Sequence, residues 1–310
     1  MTRTYLPISV IIPTRNRVKV LLKTLETFRT QTTPAAEIVI IDGSESDETK
    51  IALASHELSR SGIISFLKAD QLGAAMQRNQ GVAIASNPFI LFADDDVYLE
   101  PDCIARLWRA IDSRRDAGAV SAMITNQKYL PMGRISSTLA SLLLGKKMPS
   151  YAGKLIPPGW GMLPEDREDM PEVVEVEWLN LGATLYRKEA LPNPPFQPHF
   201  KGYSMMEDIT LSVTVSKKWK LLNARTARIY HDSQPGEHKK NTFVLSRMEL
   251  NNRHFLMKNI LDRKTLADYG RLFIFEAFGV ISPLSTMDSW RALPATLLGK
   301  FAALYDIVKS

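Results

Sequence analysis

Five short, near-continuous apolar runs mark the first 124 residues: Ile8 to Ile12, Ile38 to Ile41, Ile63 to Leu67, Pro88 to Phe92 and Ala119 to Ile124. They are too short for buried helices and rich in β-branched residues, so they predict strands. The intervening segments carry apolar residues at helical spacing instead. Leu21, Leu22, Leu25 and Phe28 share one face of a helix over 18–29, and helices are expected from near Asp47 to Ser59, over 74–85 and over 101–115. Strands without polar alternation, separated by amphipathic helices, form a parallel sheet covered on both faces, which places the chain in the α/β class.

Past residue 124 the rhythm loosens. Ile135 to Leu144 is mildly amphipathic, and Pro149 to Pro171 holds five prolines with Gly159 and Gly161, which reads as a long loop. Strands are expected at Val173 to Trp178 and Arg228 to Tyr230, with a glycine-bearing turn, a strand and a short helix inside 179–191 and a helix from Ile209 to Lys218. Phe243 to Leu261, Leu266 to Phe278 and Trp290 to Val308 then read as an appended set of helices. The expected division is 1–235 as one α/β domain, with halves 1–125 and 126–235, followed by a helical part at 236–310.

Charge changes this picture in one place. The chain carries +6, but 12 Lys or Arg against four acids between Ile209 and Lys264 leave that segment at +8. Such a patch suits a phosphorylated ligand or an anionic membrane surface. Nucleic acid is not expected, because no zinc-finger spacing and no aromatic RNA-binding motif accompany the charge. The lone Cys103 excludes an internal disulfide and fits a reducing compartment. Met1 to Tyr5 runs into the first strand pattern without a leader's apolar core, so cytoplasmic residence is expected.

The candidate chemistry gathers at strand ends, where open α/β sheets bind ligands. Pro13-Thr14-Arg15, Asp42-Gly43-Ser44 and Asp94-Asp95-Asp96 all fall there. Three adjacent carboxylates at the mouth of a buried strand are costly without a cation, and a hard divalent ion shared with substrate phosphates is the obvious one. No glycine-rich phosphate loop follows the first strand, which argues against a dinucleotide fold and a P-loop. Glu207-Asp208 opens a helix after a Gly202-Tyr203 loop, and capping alone would explain one acid rather than two.

These motifs in this order resemble the family 2 glycosyltransferases of the inverting, nucleotide-sugar-dependent GT-A type: Ser9 to Asn16, Ile40 to Ser44, Gly73 to Gly81 with Arg78-Asn79, Asp94-Asp95-Asp96, Gly182 to Arg187 and Glu207-Asp208. The resemblance covers about residues 6 to 255. It implies a GT-A fold with a mostly parallel central sheet flanked by helices, a nucleotide-binding half at 1–125 and an acceptor half at 126–235. By the same resemblance Pro13, Thr14, Arg15 and Asp42 hold the base, Arg78 lies near base and diphosphate, and Asp95 faces the sugar or ribose. Asp94, Asp96 and His231 would hold Mn²⁺ or Mg²⁺, imidazole favouring Mn²⁺. Asp208 is the implied catalytic base, with Glu207 the lesser candidate.

The donor is left open between UDP-, dTDP- and GDP-sugars, and the acceptor among glycans and polyprenyl-diphosphate-linked molecules, as in cell-surface polysaccharide assembly. The basic segment, with Arg247, Asn252, Arg253 and the apolar helices bearing Phe273, Phe275, Phe278, Trp290 and Phe301, would suit a polyprenyl-diphosphate acceptor at the cytosolic membrane face, with peripheral attachment of the chain there. Two alternatives stay open: a sugar-phosphate nucleotidyltransferase, and a non-catalytic nucleotide-sugar-binding subunit.

Overall fold

The structure is a computed structural model that describes residues 4–234, 241–285 and 287–309. Glu237, Lys239 and Lys240 of the basic segment lie outside the described residues. In chain order the elements are β1 Leu6–Thr14, α1 Val18–Arg29, β2 Ala35–Asp42, α2 Glu48–Ala54, α3 Glu57–Arg60, β3 Ile64–Lys68, α4 Ala74–Ile84 and β4 Phe89–Ala93. Then come β5 Val97–Leu99, α5 Cys103–Asp112, β6 Ala117–Ile124, α6 Arg134–Leu144, β7 Leu155–Ile156, β8 Trp160–Gly161, β9 Val173–Val176 and β10 Ala183–Arg187. The last are α7 Glu207–Ser216, β11 Lys220–His231, α8 Thr242–Phe255, α9 Leu266–Ile281 and α10 Met287–Lys309.

By contact the chain divides into two units, 1–129 with 163–234, and 130–162 with 235–310. The segment 130–162, expected within the acceptor half, thus groups with the C-terminal helices, because Leu139, Leu143, Tyr151 and Ile156 are buried together with Phe275 and Phe278 against them. The expected loop at 149–171 also contains the small β7–β8 hairpin, turned by Pro157, Pro158 and Gly159.

The first unit is built on a sheet of order β3-β2-β1-β4-β10-β6-β11-β5, with β9 also paired to β11. β1 pairs in parallel with β2 and β4, β2 with β3, and β6 with β11, whereas β10, β5 and β9 run antiparallel to their neighbours. Most strands therefore run one way, as apolar runs buried on both faces require. Ile8, Val10 and Ile12 meet Leu21, Leu25 and Phe28 of α1 and Leu107 and Ile111 of α5 in one core. On the opposite face Phe92 packs edge-to-face on Tyr186 and Phe196, at 5.5 and 5.4 Å. The sequence placed a strand inside 179–191; its insertion between β4 and β6 is a long-range pairing that periodicity does not encode.

α4 lies so close to β1 that a Cβ at Gly81 would collide with the Ile11 side chain. Gly81→Ala would gain about 1 kcal/mol of helix propensity. Overpacking against a fully buried strand residue costs about 1–3 kcal/mol, so a net loss is expected, read as a lower urea midpoint with unchanged slope.

Candidate active site

Parallel pairing sets Thr14 opposite Asp42 and Ile11 opposite Phe92, so β1, β2 and β4 end at one edge of the sheet. Asp42 is buried there. Its Oδ1 accepts from the Ser44 amide (2.9 Å) and hydroxyl (2.5 Å), and its Oδ2 from Lys68 Nζ (3.1 Å). Gln77 ties the two strand ends together by donating to the carbonyls of Thr14 and Ile41, at 3.1 and 2.7 Å. Three donors already engage a carboxylate with about four lone-pair sites, so a base N–H would have to share Oδ2 with Lys68 or displace it. Lys68, the last residue of β3, was not singled out from the sequence; a basic residue ending a third strand at the same edge was the available signal.

Pro13 and Thr14 are buried and Arg15 is exposed. Thr14 donates its hydroxyl to Asp95 Oδ2 at 2.7 Å, and Arg17 donates to Asp95 Oδ1 at 3.0 Å and Asp96 Oδ2 at 3.3 Å. The Thr24 hydroxyl holds the Asp95 carbonyl at 2.7 Å. Asp95 therefore anchors the acidic turn to the β1–α1 junction, where sequence reasoning expected it to face the sugar or ribose. Burial pushes its carboxyl up to about 6 against the opposing Thr14 and Arg17 bonds. Arg17 was missed because the motif was read only as far as Asn16.

Asp94 to Asp96 form the turn between β4 and β5. β5 pairs antiparallel with the end of β11, placing His231 opposite Val97. One ligand atom from each of Asp94, Asp96 and His231 then lies within 4.8 Å of the others. His231 Nε2 is 3.2 Å from Asp96 Oδ1, and Asn126 fixes the His231 backbone by accepting its amide (3.0 Å) and donating to its carbonyl (2.8 Å). Burial pushes the Asp96 carboxyl up, but the bond and charge of His231, the Gln234 amide and Arg17 outweigh it and hold the group below its usual range. Two carboxylate oxygens and one imidazole nitrogen fit a divalent cation such as Mn²⁺, with positions left for water or phosphate oxygens.

The second acidic pair arrives from α7. Ser204 and Met206 both adopt left-handed backbone, φ 57° and 70°, which turns the chain sharply into the helix. Glu207 and Asp208 occupy its first turn, where the helix dipole favours negative charge. Arg78 of α4, almost fully buried, joins the two acidic centres: it donates to Asp94 Oδ1 at 2.6 Å and to Glu207 Oε1 at 3.2 Å. Asp208 is held by the Ile209 amide, at 2.7 Å. Burial pushes both carboxyls up. Asp208 adds to the rise at Glu207 and Arg78 opposes it; at Asp208 the Ile209 amide and Arg78 oppose it. A raised carboxyl is what a general base working near neutral pH requires.

The structure thus brings together Arg78, Asp94, Asp96, His231, Glu207 and Asp208 and sets Asp95 with Thr14 and Arg17 behind them. Cys103 is buried in the core, and burial pushes its thiol up, which suits a packing role.

Comparison places this architecture among the GT-A glycosyltransferases. A mannosyltransferase from Pyrobaculum calidifontis, solved with GDP-mannose and Mn²⁺, superposes with a TM-score of 0.56 at 15% identity, covering 96% of this chain and 75% of that one. The S. aureus protein TarS (1–349) gives 0.55 at 15% identity, over 96% and 80%. Residues 9–162 match the family model described as Glycosyl transferase family 2, and this stretch of the chain belongs to that family. A curated relative, the GalNAc(5)-diNAcBac-PP-undecaprenol beta-1,3-glucosyltransferase of Campylobacter jejuni, is 33% identical over 90 residues, 29% of this chain and 29% of that protein. The matched stretch spans less than a third of the curated relatives it aligns with first, 29% and 24% of their lengths.

Proposed function

We propose that the chain is an inverting glycosyltransferase that moves a sugar from a nucleoside-diphosphate donor to a hydroxyl of a glycan or lipid-linked acceptor, within cell-surface polysaccharide assembly. The observation that carries this reading is the pairing of a cation-competent cluster, Asp94, Asp96 and His231, with a raised carboxylate pair, Glu207 and Asp208, through one buried arginine. A single displacement needs those two parts: a base for the acceptor hydroxyl and a means to stabilise the leaving diphosphate.

Asp208 accepts the acceptor proton as the hydroxyl oxygen bonds to the anomeric carbon and the bond to the diphosphate breaks. Glu207, held by Arg78, keeps that guanidinium between the carboxylate pair and the acidic turn. A divalent cation held by Asp94, Asp96 and His231 would supply positive charge against the diphosphate. Pro13, Thr14, Arg15 and Asp42 border the strand-end edge that would take the nucleoside, with Lys68 reading its face beside Asp42. The support for a lipid-linked acceptor is the relative whose name carries an undecaprenyl diphosphate, and the support for Mn²⁺ is the cation in the mannosyltransferase complex. The family match favours transfer over a nucleotidyltransferase.

The deciding experiment is a thermal-shift screen of UDP-, dTDP- and GDP-sugars with Mn²⁺. One donor at about 100 times its Kd should stabilise the fold by about 2.7 kcal/mol. The shift should vanish with EDTA and in Asp96→Ala. No shift from any donor, or a full shift with EDTA present, would count against the reading.

A further inference from the structure

Along their middle turns α9 and α10 direct most of their charges inward, whereas Asp288, Arg291 and Lys309, near the ends of α10, are exposed. Glu276 of α9 and Lys300 of α10 meet at 2.5 Å, and Lys300 also reaches Glu249 of α8 at 2.6 Å. Arg253 of α8 bonds Glu276 at 2.7 Å and Glu249 at 2.8 Å, and Asp306 of α10 pairs with Arg247 at 2.7 Å. The outward positions are the reverse. Between Leu266 and Ile281, and again between Ala292 and Val308, no exposed residue is charged. Phe273 is 74% exposed, Ile281 65%, Leu298 61%, Phe301 65% and Val308 86%.

On α10 the exposed positions from Pro294 to Val308 recur at three- and four-residue intervals, a stripe about 21 Å long at 1.5 Å per residue. A helix on the surface of a protein meant only for water presents the opposite pattern, polar outward and apolar inward. Of the aromatic residues expected to face a membrane, Phe273, Trp290 and Phe301 are exposed. Phe275 and Phe278 instead pack against the Leu139–Ile156 cluster, and Asn252 and Arg253 are buried.

Charge identifies what covers this face. Among the described residues, 130–162 and 241–309 hold thirteen Lys or Arg against six acids, a net +7 in a chain of +6. Two copies face to face would set two such charges against each other, whereas an anionic surface complements them. No helix of the described residues is long and apolar enough to cross a membrane, which leaves the in-plane arrangement. We propose that the outward faces of α9 and α10 rest on an anionic lipid bilayer, with their apolar side chains at the boundary between headgroups and acyl chains.

The test uses the full chain, without donor or acceptor, so its outcome is independent of the proposed reaction. Flotation is run with vesicles of phosphatidylcholine alone and with an equal mixture of phosphatidylglycerol and phosphatidylcholine. The chain should float with the mixed vesicles, more weakly at high salt, and brominated phospholipid should quench its tryptophan fluorescence. The double variant F273E/F301E, checked for folding by circular dichroism, should bind about tenfold more weakly. Should that variant misfold, V308E on the final turn takes its place, and the quenching needs no variant. Failure to float with mixed vesicles at low salt, equal flotation of the variants, or no quenching would overturn the proposal. So would a dimer in solution that F273E/F301E converts to monomer, because a second copy would then be the occupant.

Discussion

Asp208→Asn should lower sugar transfer by about 10³-fold while donor-induced thermal stabilisation stays unchanged. The amide keeps the shape and the bond from Ile209 but cannot take the acceptor proton. The pH profile gives the same assignment a second readout. A base works only when deprotonated, and burial raises the Asp208 carboxyl. Turnover should therefore fall as pH drops through that raised value, with an acid limb above the range of an ordinary aspartate. The residual activity of Asp208→Asn should lack that limb. Near-normal turnover in the variant would move the base elsewhere, and Glu207 is the next carboxylate in reach.

Arg78→Leu is expected to destabilise the fold by about 3 kcal/mol at neutral pH. Removing one member of a buried ion pair leaves the others uncompensated, and here one guanidinium serves two carboxylates, Asp94 and Glu207. The figure sits at the low end of the usual cost because the Asp94 side chain is 28% exposed and Glu207, already raised by burial, can take a proton. The sign with pH follows from that rise. A carboxyl whose folded-state value is raised lowers stability once pH exceeds its unfolded value, and losing Arg78 raises it further. The gap in melting temperature between wild type and variant should thus widen from acid to neutral pH. A gap constant across that range would mean that Arg78 acts through packing on Phe196, whose ring centre lies 5.9 Å away.

The features legible in the sequence were those encoded over a few residues. Ile8 to Ile12, Ile38 to Ile41 and Pro88 to Phe92 read as strands because they are short, almost wholly apolar and made of β-branched or aromatic residues, and the polar residues after them then share an edge. What stayed hidden depends on contacts between distant residues. Arg78 and Glu207 are 129 positions apart, and nothing in either segment names the other. The placement of β10 between β4 and β6, the capture of Asp95 by Thr14 and Arg17, and the grouping of 130–162 with the C-terminal helices are of the same kind. The apolar faces of α9 and α10 were hidden differently. Periodicity finds a stripe but cannot say which side of the helix is turned inward.

β11 carries one further implication. Its pairing with β6 steps from Ala224 opposite Ala122 directly to Arg228 opposite Met123, so residues 225–227 are extra on that strand. Side chains alternate along a strand, and this surplus fixes the parity with which its last residues emerge. With the surplus held at three residues, adding or removing a single residue between Arg228 and His231 would turn the imidazole of His231 to the other face of the sheet while every ligand stayed in the sequence. For the cation site, the number of residues between Ala224 and His231 matters as much as the identity of its ligands.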